Sequence, residues 1–247
     1  MAEPLLKADD LILRYGDTTA LDGVSLAIER GETLALVGPS GSGKSTLARA
    51  VLRLHPLESG AMRFEGSDWL ALNGAELRKA RARMQMVFQD PLSAFNPRAS
   101  VHDLLREPLR IHRLKRDIAS LLQTVGLDPA LARRSVHEIS GGQRQRVAIA
   151  RALATKPSLV VLDEAVSALD VTVRSAILNL LRDIQKTERT AYLFITHDLA
   201  VAAQMADRIA VMERGRIVEC RPTQELITAP QAPVTQALIE AVPRLFV

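Results

Sequence analysis

Lys44 and Ser45 close a run punctuated by glycines, Gly38-Pro39-Ser40-Gly41-Ser42-Gly43-Lys44-Ser45-Thr46, and these residue types in this order suit one chemistry. Glycines let a backbone turn tightly and bring its N–H groups close to an anion. A helix opening near Lys44 adds the positive end of its dipole. The Lys44 ammonium would neutralise the β- and γ-phosphates of a nucleotide, and the Ser45 hydroxyl would join a Mg²⁺ shell of oxygen ligands. An apolar stretch, 33–37, leads into the run and a helical stretch, 47–54, leads out. That is the strand–loop–helix setting a phosphate loop requires.

Two more groups of polar residues stand at positions where chemistry is done. Ile139-Ser140-Gly141-Gly142-Gln143-Arg144-Gln145-Arg146 comes just before a helical stretch, 147–154. Its glycines offer N–H groups at a helix start, and the Ser140 hydroxyl adds a donor to a phosphate. One nucleotide needs only one such grip, so the second is read as serving the nucleotide of another subunit. The apolar run 159–162 ends in Asp163-Glu164. Asp163 would hold Mg²⁺ through its hydration shell, and Glu164 would polarise the attacking water. His197 follows the apolar run 193–196 and so lies at a strand's carboxyl end, where ligands gather in α/β sheets.

Short strands and helices must position these groups. Residues 11–15 and 24–28 read as antiparallel strands, 33–37 and 84–88 as further strands. From 100 to 155 the apolar spacing is helical, with Pro97, Pro108 and Pro129 expected to break the region into short pieces. Strand 159–163, helix 173–184, strand 191–196, a short helix from Leu199, and strands 209–212 and 216–218 follow. Alternation of strands and helices predicts an α/β fold: a mostly parallel sheet with an N-terminal antiparallel β subdomain and an inserted α-helical subdomain. A tail from Thr223 reads as two short helices.

With 247 residues, 47% hydrophobic and 24% charged, the chain can bury a substantial core. Its apolar runs are far short of the roughly 20 residues a spanning helix needs. Met1-Ala2-Glu3-Pro4 has no basic start of a secretory leader, and a cytosolic location is expected. Cys220 is the single cysteine, which excludes an internal disulfide framework and a cysteine-held metal cluster. Between Arg78 and Arg151 there are 15 lysines and arginines against 6 aspartates and glutamates. Such a segment suits nucleic acid, an anionic membrane surface or a solvated helical face. An aromatic content of 3% argues against base-stacking platforms, so no nucleic-acid partner is expected.

Taken in order, the phosphate loop, Gln89, Ser140-Gly141-Gly142-Gln143, Asp163-Glu164, Ser167-Ala168-Leu169-Asp170 and His197 resemble the motif set of ABC transporter ATPase subunits. The resemblance runs over almost the whole chain. It implies ATP and Mg²⁺ as cofactors, with Tyr15 stacking on adenine and Gln89 sensing metal and water. It further implies that Ser140 and Gly142 reach the γ-phosphate held by the opposite subunit. Asp170 would lie in the loop joining the two sites, and His197 would hydrogen-bond the γ-phosphate. From the residues alone, Tyr15 reads equally as an edge-strand aromatic.

The stretch 88–98 and the tail 228–243, including Ala241-Val242-Pro243, resemble the peptide and nickel importers of bacteria. The implied protein is a peripheral ATPase on the cytoplasmic face of the inner membrane. Its partners would be a second ATPase subunit, two permease subunits and a solute-binding protein. An exporter subunit and a non-transport ATPase of DNA repair or translation are the rival readings. The expected division is a nucleotide-binding core from 1–88 and 156–222, a helical subdomain at 89–155 and a tail at 223–247.

Overall fold

Three apolar pentads, Thr33–Val37, Leu159–Asp163 and Ala191–Ile195, are buried along their whole length. Unbroken apolar runs of this kind belong to parallel strands covered on both faces. The computed structural model describes residues 3–242. Met1 and Ala2 of the expected leaderless start, and Pro243 of the expected tail with the four residues after it, lie outside them.

In chain order the first elements are β1 (Leu6–Tyr15), β2 (Thr18–Ile28), β3 (Thr33–Val37), α1 (Lys44–Val51), β4 (Ser59–Phe64) and β5 (Ser67–Asp68). Then come α2 (Gly74–Arg81), β6 (Met84–Val87), α3 (Val101–Ile111), α4 (Ile118–Thr124), α5 (Gly141–Leu153), β7 (Leu159–Asp163) and α6 (Val171–Glu188). The chain ends with β8 (Ala191–Ile195), α7 (Leu199–Met205), β9 (Arg208–Glu213), β10 (Arg216–Pro222), α8 (Thr223–Thr228) and α9 (Pro233–Glu240). Two units divide these elements: Met1–Leu72 with Ala191–Val247, and Asn73–Thr190.

The first unit holds two sets of strands. One is an antiparallel sheet in the order β2-β1-β4-β5. The other runs β10-β9-β3-β8, with β3 parallel to both neighbours and β10 returning antiparallel. Strand β1 is twice the length expected for 11–15. Its register shifts between Ala8 and Leu11, where Asp10 has a φ of 50°. That bulge resets the in–out alternation, so Leu6 and Ala8 face the core although their spacing is out of phase with Leu11 and Leu13. The hairpin β4–β5 has no expectation to match it. It is defined by pairing with β1 and by Trp69, whose Nε1 donates to Val51 O at 2.8 Å while its ring meets Phe64.

In the second unit β6 and β7 run parallel, and α3, α4 and α5 pack together. Leu104, Leu105, Leu121, Leu122, Val147 and Ile149 form that apolar interior. Pro108 does not break the chain as expected, since it lies inside α3. It is buried with Leu105 and Leu109 on the apolar face, and that burial offsets a missing backbone donor. Pro129 instead opens a short 3₁₀ turn. Each helix of this unit that bears on function starts at a side-chain cap. Ser100 caps α3, Asp117 caps α4, Ser140 caps α5 and Asp170 caps α6. No helix among the described residues is long and apolar enough to cross a membrane.

Candidate active site

Strand β3 delivers the phosphate loop. After Val37 the chain turns through Gly38, Gly41 and Gly43, and α1 begins at Lys44. Gly43 has a φ of 106°, and a Cβ there would lie 2.6 Å from Ala20 O, so only glycine fits. The side chain of Lys44 folds back over the loop. Its Nζ donates to Gly38 O and Pro39 O, both at 2.8 Å, and reaches Ser42 Oγ at 3.5 Å. The ammonium is thus buried at the loop's centre, held by carbonyl dipoles at the place a phosphate would need a cation. The turn between β9 and β10 braces the loop from below, with Gly215 N donating to Ser42 O at 2.9 Å. Pro39, Ser40 and Gly41 are exposed; Ser45 and Thr46 sit half-buried in the first turn of α1.

Parallel pairing brings His197 to the same edge of the sheet as this loop. Leu36 of β3 is in register with Ile195 of β8, so both strands release their chains at one end. His197 is exposed there. Thr196 and Asp198 fix the turn, because Asp198 N donates to Thr196 Oγ1 and the Asp198 carboxylate caps α7. Tyr15 ends β1 with 46% of its surface exposed, and its ring stands edge-on to His55 at 5.6 Å. The phenol ring thus packs against a neighbour that the sequence did not single out. No spacing rule links positions 15 and 55, because the contact joins the end of β1 to the segment between α1 and β4.

The second unit carries the carboxylates. Val87 of β6 pairs with Leu162 of β7, so Gln89 and the Asp163-Glu164 pair follow the ends of adjacent parallel strands. Gln89 Nε2 donates to Glu164 Oε2 at 3.2 Å. Asp163 is buried, while Glu164 is half-buried and has a φ of 48°. A left-handed conformation costs a non-glycine residue about 1–2 kcal/mol, and such positions cluster where a side chain must be aimed. Glu164 O accepts from Ser167 N at 3.1 Å, which turns the chain sharply out of the strand.

In the same unit Ser140 and Gln143 form a reciprocal cap. Gln143 N donates to Ser140 Oγ at 3.2 Å, and Ser140 N donates to Gln143 Oε1 at 2.9 Å. The hydroxyl expected as a phosphate donor is thus also an acceptor, and its own hydrogen is still free to point outward. Ser140 and Gly141 are exposed at the positive end of α5, and Gly142 is half-buried. Asp170 caps α6 through Val173 N at 2.9 Å, so its carboxylate first serves to order the loop 167–170.

A phosphate loop ending one buried parallel strand and an acid pair ending another define a P-loop ATPase. The family model for ABC transporters matches residues 21–167. The chain is 47% identical to the probable peptide ABC transporter ATP-binding protein y4tS of Sinorhizobium fredii, over 98% of this chain and 74% of that protein. It is 44% identical to the oligopeptide transport ATP-binding protein AppF of Bacillus subtilis, over 93% of this chain and 72% of the relative. The dimeric ATP-binding cassette MJ0796, in a post-hydrolysis state bound to ADP and phosphate, matches with a TM-score of 0.78 at 28% identity. That match covers 88% of this chain and 98% of the other. This chain belongs to the ABC transporter family and is an ATPase of it.

Proposed function

We propose that this protein drives a bacterial importer of the peptide and nickel class, with peptides as the cargo. The peptide assignment is supported by the names of its relatives. It works as a head-to-tail pair with a second ATPase subunit, bound to two permease subunits that receive cargo from a solute-binding protein. Its place is the cytoplasmic face of the inner membrane. Residues 1–88 and 156–222 serve as the nucleotide-binding core, 89–155 as the helical subdomain that meets the permease, and 223–247 as the tail.

The hydrogen bond between Gln89 and Glu164 carries the mechanistic reading. It aims a carboxylate from the end of a buried strand without neutralising it. Glu164 then orients a water for in-line attack on the γ-phosphorus and takes its proton, while the bond to the β-phosphate oxygen breaks and ADP leaves. Lys44 and the backbone N–H groups of 40–46 hold the triphosphate, Tyr15 packs against adenine, and His197 donates to the γ-phosphate. Ser140, Gly141, Gly142 and Gln143 of one subunit complete the cage around the other subunit's γ-phosphate, with Asp170 in the loop between the two sites. Ser45, Gln89 and Asp163 offer the oxygen donors, with a single carboxylate, that Mg²⁺ accepts beside phosphates. When bound there, Mg²⁺ offsets charge on the β- and γ-phosphates.

Contacts made only while γ-phosphate is present favour the closed pair over the open one, which is the differential affinity a switch requires. Reconstitution with the co-purifying permease in vesicles tests the proposal. ATP-dependent uptake of labelled oligopeptides is the expected result. Uptake of nickel without peptide would reassign the cargo, and full-rate hydrolysis by protein too dilute to pair would overturn the shared site.

A further inference from the structure

Along α3 and the turn into α4, acidic and basic side chains have been sorted. Asp103 closes the cap of α3 on Ser100, and Glu107 is bonded to Arg151 at 2.8 Å. Asp117 caps α4 through Ser120 N at 2.9 Å. Each acid is thus engaged by a partner within the protein, although all three stay at the surface and Asp117 lines the groove between α3 and α4. Arg106, Arg110, Arg113 and Lys115 are exposed, and none of the four side chains makes a hydrogen bond or ion pair among the described residues. With Arg116 they surround an open groove of about 730 Å³. Arg116 is anchored through Nη1 to Leu153 O at 2.7 Å, so one positive charge of the groove is held in place.

The groove also has an apolar part. Leu109 and Ile118 line it, and Leu114 lines it while 39% exposed. Ile111, in the last turn of α3, is 52% exposed. A solvated helical face accounts for scattered lysines, but it gives no reason to leave Ile111 and Leu114 in water between arginines. Guanidinium groups match phosphate with paired donors, and apolar side chains beside them enter the acyl boundary of a lipid layer. A free anion would satisfy the charges and leave both apolar residues wet.

We propose that the groove between α3 and α4 binds anionic phospholipid headgroups, so that this face rests directly on the membrane surface. The proposal builds on the reading of the protein as a peripheral transporter subunit, and adds a lipid contact that does not pass through the permease. A negative surface potential attracts such a cluster, with each nearby Lys or Arg strengthening binding about fivefold.

The test is sedimentation of the full-length protein with vesicles of phosphatidylcholine alone and of phosphatidylcholine mixed with phosphatidylglycerol. Binding to the mixed vesicles only, weakened by salt, is expected. The double variant Arg110→Ala/Arg113→Ala should bind about 25-fold less tightly. Leu114→Ser should also weaken binding, and both variants should hydrolyse ATP at the wild-type rate. Equal binding to neutral vesicles, or undiminished binding by the double variant, overturns the proposal. So does displacement by inorganic pyrophosphate with no effect of Leu114→Ser, which would make the ligand a free anion. So does capture of purified permease through Arg110 and Arg113 with no affinity for vesicles. Protein that hydrolyses ATP but ignores anionic vesicles sinks the lipid contact alone, whereas absence of hydrolysis strikes the ATPase reading.

Discussion

A methyl group placed on Gly142 would lie 2.9 Å from Cγ1 of Val173. The backbone of Gly142 is helical, so the missing side chain is required by packing and not by an unusual φ. The first turn of α5, with its Ser140 cap, therefore abuts the first turn of α6, with its Asp170 cap. The two helix starts are held at contact distance by this one close approach.

Gly142→Ala should push these turns apart, since overpacking costs about 1–3 kcal/mol. A fall in ATP turnover of at least about tenfold is expected from that displacement. Adding Val173→Ala removes the clashing methyl groups and should restore most of the rate. Steady-state hydrolysis by the single and double variants decides it, because an unrescued double variant would mean that Gly142 is needed for the phosphate itself.

Glu164→Gln should keep ATP binding and lose hydrolysis by about 10²–10⁴-fold, the range for a general base. Gln89 can still donate to the new amide oxygen, so the loop geometry persists and the proton acceptor alone is lost. Single-turnover hydrolysis with radiolabelled ATP measures this. Turnover at the wild-type rate would falsify the base assignment.

Lys44→Ala should weaken ATP binding by at least about tenfold through loss of a charge-assisted contact to phosphate. It also removes the Lys44 donor from Gly38 O and leaves Pro39 O with Ser42 N, so the empty loop should lose order as well. Calorimetric titration with a non-hydrolysable ATP analogue reads the affinity, and a wild-type value would exclude Lys44 from the phosphate site.

Glu219 ties the C-terminal segment to β10. Its buried carboxylate accepts from Gln231 N at 3.1 Å and Ala232 N at 3.0 Å. Burial raises its pKa, but the Ala232 amide, the Thr235 hydroxyl, the Gln231 amide and the Arg221 guanidinium together outweigh burial and hold it below the ordinary glutamate value. With the folded pKa depressed, its stabilisation is present above the unfolded pKa and is lost as pH falls through the folded one. Glu219→Ala should cost about 1–3 kcal/mol at neutral pH, because the part-buried amides of Gln231 and Ala232 lose their charged acceptor. Thermal unfolding should show that difference shrinking in acid, and a gap independent of pH would contradict the linkage.

Much of the site was legible because its residues are local in sequence. The phosphate loop needs one strand, one turn and one helix start, all within 33–51, and each leaves its own mark. Elements held by distant partners were harder to read. β4 has only Met62 and Phe64 buried, and it is a strand because β1 pairs with it. Helix α2 buries no residue, so no apolar period announces it. Pro108 misled for a related reason: local rules count the lost donor, while the packed face that compensates is made by other helices.

From sequence alone came the α/β class, the phosphate loop, the acid pair closing an apolar strand and the second glycine-rich helix start, because each is written in neighbouring residues. Tertiary structure decided that Gln89 steadies Glu164 across 75 residues, that Val173 forbids a side chain at 142, and that the cations of 106–115 are left unpaired. Those relationships arise where separate strands and helices are brought to contact distance, and chain spacing carries no record of which side chains will meet there.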